Sequence, residues 1–146
     1  MRKAADAQLA YALLRFGFGI NMAVHGVNRL LGGLARFAAK TSADFADTLL
    51  PRFAVWPFAF LTPLLELVVG VLLIAGAYTR TALLLGSLLM AALMFGTALR
   101  GEWNVLGTQL VYLLVYYVLL ARRGDDVWGI DAARGEPSSR SHERPR

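Results

Sequence analysis

The chain has no cysteine among its 146 residues. That removes thiolate nucleophiles, disulfide exchange and cysteine-held iron–sulfur clusters from the chemistry it can perform alone. Histidine is almost as scarce: His25 lies in an apolar stretch, and His142 lies near the C-terminus. No haem, iron–sulfur or flavin motif is present. The only G-x-G, Gly17-Phe18-Gly19, sits inside an apolar run and lacks the strand-to-helix setting of a dinucleotide site. Acidic residues are outnumbered ten to fifteen by Lys and Arg, a formal charge of +5. A basic balance can signal nucleic acid, but basic flanks of membrane helices account for it here, and no nucleic-acid partner is expected.

What is abundant is apolar sequence. Hydrophobic residues make up 57% of the chain and mean hydropathy is +0.51, beyond a soluble domain. Four stretches, about 8–31, 56–78, 81–99 and 104–121, approach or exceed the roughly 20 residues needed to cross a hydrocarbon core. The first is too long for a signal-peptide core and contains Arg15 and Arg29, so it reads as a retained helix. The expected fold is all-α: an integral membrane four-helix bundle over residues 1–123, followed by a polar, disordered tail over 124–146. The outer loop, 32–55, is too apolar to be free. Thr41, Ser42 and Asp44 read as start signals for a short amphipathic helix bearing Phe45 and Leu49 and stopped by Pro51.

Lys and Arg outside the spans divide unequally. Arg2, Lys3, Arg80, Arg122, Arg123 and four tail arginines fall on one side. Arg36, Lys40, Arg52 and Arg100 fall on the other. The positive-inside rule then places both termini in the cytoplasm and the bundle in the cell (inner) membrane.

Polar residues on such helices are costly and therefore informative. At about 100° per residue, Tyr11, Arg15, Asn21, His25 and Arg29 share one face of the first helix, with Asn28 at its edge. Glu66 is the single carboxylate of the second span. Gln109, Tyr112 and Tyr116 share a face of the last. These faces are expected to converge on a buried polar seam, with Glu66 contacting His25 or Arg15. Arg29, near the outer boundary, reads either as a snorkelling cation or as part of the seam. Trp56 and Trp103 read as interfacial anchors, and Met90 and Met94 as core filler.

The segments LRFGFGINMAVHGVNRL, ELVVGVLLIAGAYTR and FGTALRGEWNVLGTQLVYLLVY resemble the DoxX/DoxD family of four-helix membrane proteins. The last is similar to the branch described as the large subunit of thiosulfate:quinone oxidoreductase. The resemblance covers about residues 8–121. It implies a membrane subunit working with quinone and with a partner redox subunit. On that reading Glu66 and His25 are the catalytic candidates. Arg15, Asn21, Arg29, Gln109, Tyr112, Tyr116 and Trp103 are candidates for holding quinone, and no metal is expected. A bundle this small is also open to homo-oligomerisation. The rival expectation is a non-enzymatic membrane anchor or assembly partner whose polar seam is structural.

Overall fold

The computed structural model describes residues 2–135. The disordered tail expected over 136–146 lies outside them. Six α-helices follow in order: α1 (Arg2–Leu31), α2 (Leu34–Asp44), α3 (Arg52–Ala75), α4 (Thr79–Leu99), α5 (Trp103–Ala121) and α6 (Ile130–Ala133), with a 3-10 turn at Arg123–Asp125. The protein is all-α and built for a membrane. Three of these helices, α3, α4 and α5, are long and apolar enough to cross one.

α1 is the longest helix, at 30 residues. Its polar stripe dilutes its hydropathy, so its depth is set by packing. It lies antiparallel along α3, with Gly19 against Gly70 and Ile74, and Gly26 against Pro63 and Leu67. Small residues at these crossings let the two backbones touch, the usual way for helices to associate in lipid. A Cβ on Gly70 would collide with the backbone of Ala23. The remaining core forms where α4 and α5 meet α1 and α3. Tyr116 and Leu119 pack with Phe18, Met22, Val69, Leu73, Leu83 and Met90. Gly86 leaves room for the Tyr116 ring to lie on α4.

The short loop helix exists but runs differently from expectation. Gly33, at φ 94, breaks the chain after α1, and α2 begins at once on Leu34. Leu34–Lys40 are mostly good helix formers, so Thr41, Ser42 and Asp44 end the helix instead of starting it. Phe45 is its C-cap, and Leu49 is 93% exposed beyond it. Ala38 and Ser42 are buried where α2 lies over α3.

A second correction concerns the segment after α5. Residues 124–135 were expected in the disordered tail, yet they fold back beneath the bundle. Asp125 and Asp131 are buried. The Asp131 backbone N–H donates to Gly76 O at 2.9 Å. Gly76 ends α3 in the left-handed region at φ 61, and Gly129 packs directly on it. The composition is polar, but its carboxylates find backbone N–H groups and an arginine once the bundle exists.

Candidate functional site

The residues that sequence placed in one seam separate into three groups. The first is Glu66 with Arg29. Glu66 is 2% exposed in the middle of α3, and its Oε1 takes a charge-assisted hydrogen bond from the Arg29 guanidinium. The expected contacts of Glu66 with His25 or Arg15 are therefore corrected. Arg29 has the reach to come back along α1 toward the middle of α3, and the attraction of a buried carboxylate outweighs snorkelling toward the aqueous boundary. The guanidinium also lies over the Phe37 ring at 4.9 Å, so α2 covers it. Glu66 Oε2 is buried with no hydrogen-bond partner among the described residues.

Above this pair opens a cavity of about 550 Å³. α2 roofs it, α3 and α4 form its walls, and the first turns of α5 close one side. Arg29 and Thr62 lie at its deep end, Phe37, Phe45 and Phe58 line its apolar walls, and Gln109 faces it from α5. Glu66 stands one turn deeper than Thr62 and meets the cavity through Arg29. Gln109 Oε1 is buried and has no partner among the described residues. The mouth is rimmed by charge: Lys40 pairs with Asp44 at 2.8 Å, and Arg100 pairs with Glu102 and lies 3.9 Å from Asp44. Arg100 also sits 5.4 Å from the Phe45 ring centroid. Trp103 is 68% exposed at this end and lies outside the cavity wall.

The second group lies where α1 faces α5. The Asn21 amide donates to the Tyr112 hydroxyl at 3.3 Å. His25 presents itself edge-on to the Tyr112 ring at 6.3 Å, with much of its side chain exposed. Tyr116, one turn on, is fully buried and meets Phe18 edge-on at 4.7 Å.

Arg15 is the third group, at the far end of the bundle. Its guanidinium donates to Leu73 O, and to Trp128 O at 3.3 Å, while Nε lies 3.6 Å from Asp126 Oδ1. It ties α1 to the end of α3 and to the folded-back segment. Burial pushes the Asp126 carboxyl above the usual range, although Arg15 pulls the other way. Asp131 accepts the Tyr78 and Thr79 N–H groups at 2.8 and 2.7 Å. Burial pushes its carboxyl up, but those N–H bonds prevail and hold it below the ordinary range.

Sequence reasoning missed the cavity walls. The loop helix bearing Phe45 was expected, but spacing along the chain does not show that Phe37, Phe45, Arg100 and Glu102 line one cavity. A signal was present in Thr62 and Thr97, polar groups inside apolar spans, both buried here.

Among the described residues no group of His, Asp and Glu is arranged to hold a metal. No curated protein and no solved structure matches the sequence. The family model described as DoxX matches residues 10–103, and the chain belongs to that family.

Proposed function

We propose that this chain is the membrane subunit of a quinone-linked oxidoreductase, possessing one quinone site in the cavity under α2. What carries the reading is the cavity's make-up: apolar, aromatic walls of about 550 Å³ ending on a hydrogen-bonding floor. A quinone has the matching polarity, an apolar ring and tail with two carbonyls that need donors. Arg29 and the Gln109 amide are those donors, and the unpartnered oxygens of Glu66 and Gln109 mark polar capacity the fold leaves unused.

A bound quinone supplies acceptance of two electrons and two protons. The chain's own work is to bind, orient and deliver protons. Arg29, fixed by Glu66 behind it and Phe37 beside it, presents a rigid fork at the floor of the cavity. Asp44 and Glu102 line the mouth, and Glu66 is the carboxyl group behind the floor; it relays protons, its carboxylate first taking one up from the side of the charged mouth and then passing it on. Electrons come from a partner redox subunit or from the reduced substrate, since the chain has no thiol to carry them. The Lys and Arg asymmetry supports a cell-membrane setting with both termini cytoplasmic, the mouth facing the other side.

His25, Asn21, Tyr112 and Tyr116 stand on the α1–α5 side, outside the cavity, and Arg15 serves the opposite end. The working set is therefore Glu66, Arg29 and Gln109. A second reading, a non-enzymatic anchor for redox or membrane partners, is favoured by the Arg29–Glu66 pair itself, which could serve packing alone.

Two measurements separate them. Purified protein is extracted and its bound small molecules identified by mass spectrometry. Quinone reduction is then followed in Glu66→Gln, which keeps an acceptor for Arg29 but has no titratable proton. Co-purified quinone, with activity lost and melting temperature kept in Glu66→Gln, is the expected result. No quinone and no activity at all would leave the anchor reading standing.

A further inference from the structure

The exposed side of α1 is polar at a depth where its neighbours face lipid. Asn28 is exposed, and its carboxamide makes no hydrogen bond among the described residues. Around it Val24 is 48%, Val27 38% and Leu31 82% exposed. Gly26 packs opposite Pro63 and Leu67, which puts Asn28 near the level of Pro63. That is roughly 10 Å deeper than the Trp56 anchor at 1.5 Å per residue. A carboxamide at that depth has no water to bond and is costly unless another polar group meets it. His25, one turn away, is exposed on the same flank, where it bonds the Asn21 backbone and meets Tyr112 in a T-shaped contact.

Gly17, Asn21, Val24 and Asn28 fall within about 60° of one another around α1. A Cβ built on Gly17 meets nothing within 4 Å, so this face carries a notch that nothing among the described residues fills. α5 does not cover it. On α5 itself, Asn104, Gly107 and Thr108 are exposed.

We propose that this face of α1 is a homodimer interface, occupied by the same face of a second copy across a two-fold axis. The chemistry selects a second copy. A carboxamide and an imidazole are each donor and acceptor at once. Under two-fold symmetry each meets its own kind or the other, and both capacities are met without any further polar partner. The Gly17 notch lets the two α1 helices approach closely enough for those bonds to form. The interface lies on the opposite flank of α1 from its seam with α3, so both contacts hold together.

The absence of cysteine makes the test direct. Asn28→Cys carries the only thiol in the chain, and oxidation in lipid vesicles should link it to its own counterpart. Leu88→Cys, at a position on α4 where the leucine is 69% exposed, should stay unlinked. Separately, photobleaching steps of singly labelled protein are counted as vesicles are diluted with lipid. Wild type should show two steps. Asn28→Leu, a change that favours a lipid-facing position, should keep the fold and associate about three- to thirtyfold more weakly, the effect of one or two lost interhelical hydrogen bonds. Single-step bleaching of wild type at every dilution overturns the proposal. So does linking of Leu88→Cys as efficiently as Asn28→Cys, or an unchanged dimer in Asn28→Leu.

Discussion

At the end of the bundle that carries the described termini, Arg15, Asp126 and Asp131 are drawn into one knot with backbone groups. Arg15 donates to the carbonyls that finish α3 and to Trp128, Asp126 lies against it, and Asp131 caps α4. At the opposite end, α2 stands off the bundle and leaves a cavity of about 550 Å³ with a charged rim. The same ingredients, arginines, aspartates and glycines, close one end and hold the other open. The difference lies in what they bind. Closed-end side chains satisfy backbone groups left over at helix termini, whereas open-end side chains largely pair with one another around space. The knot is therefore a stability device, and the rim can change with little cost to the fold.

That contrast can be broken most sharply at Arg15. Arg15→Leu leaves Asp126 buried without its cation and strips the Leu73 and Trp128 carbonyls of a donor. The expected loss is about 3–5 kcal/mol, read as a large fall in melting temperature in detergent. A loss near zero would mean that the knot is decorative.

The glycines sharpen the comparison. A Cβ at Gly76 would lie 2.6 Å from Gly129 Cα, in a residue held at φ 61. Backbone cannot yield there, so Gly76→Ala should cost about 1–3 kcal/mol. At Gly96, in the cavity wall, a Cβ would meet Phe45 Cζ at 2.9 Å, the far end of a side chain with room to turn. Gly96→Ala should cost less than Gly76→Ala and mainly narrow the cavity, which parallel melting curves with quinone titration would show.

Acid tests the cap. The Asp131 carboxyl is held below its ordinary value by the Tyr78 and Thr79 N–H groups despite burial. Its contribution is present above the unfolded value, about pH 4, and is lost as pH falls through the lower folded value. Asp126 is shifted upward by burial and carries the opposite sign, so the readout is the difference between wild type and Asp131→Asn. That variant should be less stable at neutral pH by about 0.5–2 kcal/mol, the range of an N-cap. The gap should close in acid.

The smallest effect belongs to the rim. Lys40 is 74% exposed in its pair with Asp44, so Lys40→Ala should shift stability by less than about 0.5 kcal/mol. A larger fall would show that the rim, too, is structural.

Much of this molecule was legible in the chain. The apolar runs required helices in a membrane, and the spacing of Arg15, Asn21, His25 and Arg29 required a polar face on the first of them. The apolar loop called for a helix over the bundle mouth, and its sequence segments pointed to the family that residues 10–103 match. Periodicity gives an angle around an axis and rise gives a depth, and both are local quantities. Three matters were settled only by tertiary packing. Glu66 chose Arg29 because a long side chain reaches across helices where spacing rules see only its Cα. The supposed seam divided because α1 touches α3 along most of its length but α5 only in places. Residues 124–135 folded because their carboxylates had backbone N–H groups and Arg15 to bind, partners that exist only after α1, α3 and α4 have come together.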